Sequence, residues 1–143
     1  MHGKDPFSDV REFINTMESR VQELGKAYGV EHLAGPQGFA VRYLFENQDK
    51  EIFIKDIEKR LSISKSVASN LVKRMEKNGF VELVTSDKDK RYKYVYLTDL
   101  GKKKAQDVGH FREAIHEQLL EGISKEDAET ALRVFHQIRK NLE

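Results

Sequence analysis

What most restricts the fold of this chain is a change of hydrophobic period between residues 64 and 98. From Ser64, the apolar residues Val67, Ala68, Leu71, Val72 and Met75 recur at the three- and four-residue spacing of a single helical face. That pattern stops at Asn78-Gly79, a pair suited to a left-handed helix end. From Phe80 the period is two. Phe80 to Val84 and Tyr92 to Leu97 are rich in β-branched and aromatic residues, and they flank the polar run Ser86-Asp87-Lys88-Asp89-Lys90-Arg91. This predicts an antiparallel hairpin with a charged tip, with Val95 and Leu97 on one face and Tyr92, Tyr94 and Tyr96 on the other.

The segments on either side read as helices. Upstream, Ile52-Phe53-Ile54 is a strand stub, and Lys55 to Leu61 is a short helix with Ile57 and Leu61 four apart. Ser62-Ile63-Ser64 is a tight turn. Val10, Ile14, Met17, Val21, Leu24 and Tyr28 form a heptad-like stripe over 8–29, with Ser8 as the expected N-cap and Gly29 as the stop. Another helix is expected from Pro36 to about Asn47. After the hairpin, Thr98 is placed to cap a helix carrying Leu100, Val108, Phe111, Ile115 and Leu119, with Gly109 weakening its middle. A last helix opens with Ser124 as N-cap and repeats Ala128, Ala131, Phe135, Ile138 and Leu142 at spacings of three and four.

Two short helices around a turn, followed at once by a hairpin, give the order of a winged helix-turn-helix. The expected fold is mainly α with a small β-hairpin wing (α+β), in one domain spanning 1–143. Its winged lobe covers 36–98, and helical regions at 8–29 and 99–143 are available for dimerisation.

Charge then assigns a partner. The chain carries a net charge of +1, but residues 50–104 hold fifteen lysines and arginines against eight acids, a net of +7. The remainder is net −6. A basic middle between acidic ends suits a region that faces a polyanion. With the apolar face of the second helix buried, Lys65, Ser66, Ser69, Asn70, Lys73 and Arg74 point outward. Ser66, Ser69 and Asn70 are short enough to meet base edges, and Asn70 can pair bidentately with adenine. Lys65, Lys73 and Arg74 suit phosphates, which set affinity and register. In the wing, Lys88, Lys90, Arg91 and Lys93 put four cations in six residues at a hairpin tip. Arg91 is the natural minor-groove residue, and Asp89 the residue to hold it or to form the turn.

The run Asp89-Lys-Arg91-Tyr-Lys-Tyr-Val95-Tyr-Leu97-Thr98, with Gly101 following, resembles the wing signature of the MarR family of regulators. Leu61 to Gly79 resembles the recognition-helix segment of that family, and Pro36-Gln37-Gly38-Phe39-Ala40-Val41 the start of its second helix. The resemblance implies a homodimeric regulator, expected to repress from a pseudo-palindromic double-stranded operator, and the lack of an apolar signal core makes the chain read as cytoplasmic. It places DNA contacts over Ser64–Arg74 and at Arg91, with Asp89 as the partner of Arg91. Asn70 departs from the pattern, since many members have arginine there.

Dimerisation is assigned to Val10, Ile14, Met17 and Val21 of the first helix and to Leu132, Phe135, Ile138 and Leu142 of the last. Small aromatic or anionic effectors are common in the family, and the cleft residues would be Tyr28, Phe39, Tyr43 and Phe111. No cofactor and no metal site is expected; Glu23, His32 and His110 could be ligands only by analogy with metal-sensing relatives. With no cysteine, thiol-based peroxide sensing is removed. No nucleophile motif or phosphate-binding glycine loop suggests an enzyme. No stretch is apolar enough to span a membrane, and the first six residues lack an apolar signal core. Two other readings stay open: a winged helix that binds an acidic protein, and a ligand or metal sensor with weak DNA binding.

Overall fold

The computed structural model describes residues 5–143. Six helices and one hairpin follow each other as α1 (Pro6–Ala27), α2 (Pro36–Glu46), α3 (Ile54–Leu61), α4 (Lys65–Lys77), β1 (Val81–Thr85), β2 (Lys93–Leu97), α5 (Asp99–Leu120) and α6 (Lys125–Leu142). The chain divides into two compact units, one ending at Phe111 and the other running Arg112–Glu143. The division falls inside α5. Among the described residues, no helix is long and apolar enough to cross a membrane.

In the first unit the core is built from α2, α3, α4, the hairpin and the first three turns of α5. Val41, Ile57, Leu71, Val72, Met75 and Val108 are almost wholly enclosed there. Each comes from the apolar stripe of its own element, so the packing follows the sequence period. β1 and β2 pair antiparallel, Val81 opposite Leu97 and Thr85 opposite Lys93. The expected strand stub is present as a third rung, because Val95 N–H donates to the Ile52 carbonyl at 2.8 Å and Phe53 bridges to Tyr94.

Caps explain the boundaries, and one differs from expectation. α1 starts at Pro6, so Ser8 lies inside its first turn, with its N–H bonded to the Asp5 carbonyl at 3.0 Å. Proline supplies a pre-set φ at the first helical position and displaces the cap upstream. At the end of α4, Asn78 keeps right-handed geometry, and Gly79 takes the left-handed conformation at φ 83°. Phe80 N–H then closes onto the Met75 carbonyl at 2.9 Å, aiming the chain into β1. Thr98 fastens the hairpin's other end. Its hydroxyl donates to the Gly79 carbonyl at 2.6 Å and accepts from Gly101 N–H at 3.0 Å. Gly101 must be glycine, since a Cβ would lie 2.0 Å from the Phe80 carbonyl oxygen.

The second unit comprises the end of α5, a turn through Gly122 and Ser124, and α6. Ser124 caps α6 as expected, accepting from Asp127 N–H at 3.1 Å. No residue of α6 is buried, and Leu132, Phe135, Ile138 and Leu142 of its apolar stripe are exposed.

Candidate nucleic-acid interface

α3 and α4 are set by two polar contacts at their starts. The Asp56 carboxylate accepts from Phe53 N–H at 2.9 Å, and the Ser64 hydroxyl accepts from Val67 N–H at 3.2 Å. Between them Ser62 adopts φ 53°, which turns the chain within three residues. Of the residues expected to meet DNA, Ser64 is therefore the α4 cap. Ser66, Asn70, Lys73 and Arg74 are exposed on one face of the helix.

One assignment on α4 is corrected. Val67, placed in the core by spacing, is 49% exposed, whereas Leu71 is 1% and Ala68, Val72 and Met75 are fully enclosed. At 3.6 residues per turn, Val67 lies about 90° round the helix from the centre of that buried stripe. It therefore lies at the edge of the stripe, bordering the polar face.

Lys65 and Ser69 look toward the wing. Together with Phe53, Lys55, Glu58, Arg91, Tyr92 and Lys93 they line a cleft of about 430 Å³ between the α3–α4 pair and β2. Four of those side chains are cations and one is an acid. Lys55 was not anticipated by sequence. Its ammonium sits 4.6 Å from the centre of the Tyr92 ring and 5.6 Å from that of Phe53, near enough for attraction to the ring faces. Phe53 in turn packs on Tyr92 and Tyr94, with ring centres 5.8 and 4.5 Å away. An aromatic cluster thus moors the wing to the start of α3.

The wing tip has its own framework. Ser86, buried at the base, accepts from Lys88 N–H at 3.2 Å and from Asp89 N–H at 3.4 Å. Ser86 N–H donates to the Tyr92 carbonyl at 3.0 Å, closing the loop. Asp89 accepts from the backbone N–H of Arg91 at 3.0 Å and from its guanidinium at 2.7 Å. Those bonds from Arg91 hold the Asp89 carboxyl below its ordinary range and push the Arg91 guanidinium upward. Lys88, Lys90 and Lys93 are exposed around this pair.

The remaining expected sites are less concentrated. Tyr28 meets Phe111 edge-on, ring centres 6.3 Å apart. Phe39 is exposed. Burial and then the Asp56 carboxylate raise the Tyr43 phenol above its ordinary value, against Arg60. The structure thus joins two of these four residues. Glu23 pairs with Arg20 at 2.7 Å, and among the described residues no three histidine, aspartate or glutamate side chains converge as a metal cage would need. His2 lies outside the described residues. A smaller hollow of about 260 Å³ lies beside His32 and Lys104, whose ammonium donates to the Gly29 carbonyl at 2.7 Å.

A helix-turn-helix backed by a basic hairpin, with cations from both around one cleft, defines a winged-helix DNA-binding protein and not an enzyme. Residues 35–91 match the model of the MarR family. The heme sensor protein PefR from Streptococcus agalactiae, solved in complex with heme, is 50% identical, with a TM-score of 0.86 over 99% of this chain and 95% of that one. YybA of Bacillus subtilis, an uncharacterised helix-turn-helix transcriptional regulator, is 26% identical over 70% of this chain, which spans 65% of the length of YybA. The MepR–DNA complex of Staphylococcus aureus shares the fold, with a TM-score of 0.79 at 19% identity over 98% of this chain and 99% of that one. The chain belongs to the MarR family, and it is a transcriptional regulator of that type.

Proposed function

We propose that the chain is a homodimeric repressor that occupies an inverted-repeat operator and is released by a small ligand. The observation that carries the DNA-binding part is the cleft in which Lys55, Lys65, Arg91 and Lys93 gather between α4 and the wing. Cations set in that geometry suit a phosphate ridge, while the exposed face of α4 suits the major groove beside it. A protein seated this way denies the same stretch of DNA to other proteins, which is repression in its simplest form.

Dimerisation is supported by unsatisfied apolar surface. Val10 and Ile14 of α1 are exposed and Met17 and Val21 half-buried. In the second unit Leu132, Phe135, Ile138 and Leu142 are all exposed, Leu142 by 84%. Stripes of this kind on a small protein mark association surfaces. A two-fold pair would set its recognition helices about 34 Å apart, one turn of DNA.

Heme is the first effector to test, because PefR is a heme sensor at 50% identity. The imidazoles of His110 and His116 are exposed along α5, and these are the side chains to test as iron ligands. Phe111 beside His110 is part of an aromatic pair with Tyr28. Bound heme would act as an effector and supply no bond-making chemistry. It must favour the DNA-incompetent state, since equal affinity for both states shifts nothing.

Selection of duplexes from a random pool by the purified full chain tests this reading. An enriched inverted repeat, bound by a dimer and released by hemin, is the expected result. Failure to enrich any sequence overturns the DNA-binding part, and retention on DNA with heme bound overturns the effector part.

A further inference from the structure

We infer that Val67 is a sequence-reading residue that recognises the methyl group of a thymine in the major groove. The inference rests on the DNA-binding reading above and adds a specific base contact to it.

Exposure of a single valine carries nothing on its own, since scattered apolar residues are normal on protein surfaces. The position of Val67 is what matters. Every other apolar residue of α4 is enclosed, and Val67 alone shares the outer face with Ser66, Asn70, Lys73 and Arg74. It is the third residue of the helix, in the N-terminal turn that a recognition helix presents to base edges. Its N–H is bonded to the Ser64 hydroxyl, so the backbone that carries the side chain is fixed. A β-branched residue on a helix also has essentially one rotamer, so its two methyl groups are held in place before any contact forms.

The chemistry of the groove then narrows the partner. The thymine C5-methyl is the apolar group that base edges show in the major groove. A valine pressed against a guanine or cytosine edge would strip water from polar atoms and return no hydrogen bond. Asn70 lies three residues on, on the same face, about 5–6 Å away at the Cβ level. An A·T pair presents the adenine N6 and N7 that Asn70 can bond and a thymine methyl on one edge. Val67 and Asn70 therefore act together on one A·T pair or on two neighbouring ones. This gives the face a specificity that does not depend on an arginine at position 70.

The test uses the full chain and a duplex it selects from a random pool. Each thymine of the half-site is replaced in turn by deoxyuridine, which removes the methyl group and leaves every hydrogen bond. One thymine is expected to lose about fourfold in affinity, the worth of one buried methyl-sized group. In Val67→Ala, which loses both γ-methyl groups, the same replacement should cost nothing, while Val67→Thr, which keeps one γ-methyl group, should retain sensitivity. Because Val67 is outside the core, all three proteins should melt alike. Indifference of the wild-type protein to every replacement overturns the inference and leaves DNA binding intact. So does full sensitivity persisting in Val67→Ala. Failure to select any sequence overturns the DNA-binding reading and this inference with it.

Discussion

Asp89 grips Arg91 with both carboxylate oxygens: Nη2 approaches to 2.7 Å and Nε to 3.1 and 3.2 Å, and the Arg91 backbone N–H donates to the same group. The Arg91 side chain nevertheless remains 82% exposed. A flexible cation at a hairpin tip is thereby fixed in direction while still able to meet DNA. The Asp89→Ala protein loses a negative charge from a DNA-facing loop, which by Coulomb attraction alone would tighten binding. The expected result is weaker binding by severalfold, because disorder of Arg91 outweighs the charge. Fluorescence anisotropy at fixed salt measures it.

The same pair sets a pH dependence. Because the carboxyl of Asp89 is held below its ordinary value, the ion pair is intact above the usual carboxylate range and is lost as pH falls through the lowered value. The tip should therefore be invariant from neutrality down to about pH 5 and loosen only in more acid solution. The Nε–H resonance of Arg91 in a pH titration reports this. A midpoint above the ordinary carboxylate value would contradict it.

Ser86→Ala removes the hydroxyl that accepts from two backbone N–H groups at the base of the wing. The cost is expected to be about 1 kcal/mol, the usual net worth of such bonds. Amide exchange should quicken over 87–91 and stay unchanged in α4.

Much of this arrangement follows from local pattern. The Leu71–Met75 stripe, the period-two arms and the caps at Thr98 and Ser124 each have a cause within a few residues, so spacing locates them. The pairing of Asp89 with Arg91 was readable for the same reason. Val67 was misassigned because it lies at the edge of a stripe, where periodicity alone does not separate core from surface. Lys55 and Phe53 were missed because their roles depend on where β2 lands against α3. That is a long-range contact with no local signal. The exposed seams of α1 and α6 were expected from their heptad spacing, which names an apolar face before anything shows what covers it.

Gly109 illustrates the limit of propensity. Replacing a mid-helix glycine with alanine ordinarily stabilises by about 1 kcal/mol. Here the new Cβ would lie 3.1 Å from Nη1 of Arg42, which donates to the Ala105 carbonyl at 3.1 Å and pairs with Glu46 at 3.6 Å. Gly109→Ala should therefore gain little by itself. In an Arg42→Ala background it should recover most of the ordinary gain. Thermal denaturation of the four proteins gives the coupling directly.

The apolar seams predict association. Ile14→Asp and Phe135→Asp place charges on surfaces proposed to pair with an identical chain. Each should shift the sedimenting mass toward the monomer and lower DNA affinity with it. A dimer unaffected by both would remove the assignment.

The central claim is that α4 and the wing hold DNA together through cations that neutralise phosphates. The most direct measurement is the salt dependence of binding to the selected duplex, comparing the wild-type protein with Lys55→Ala, Lys65→Ala and Arg91→Ala. Each phosphate contact removed should lower the slope of log affinity against log salt by about 0.9, with the melting temperature unchanged. Wild-type slopes in all three variants would show that the cleft does not face DNA.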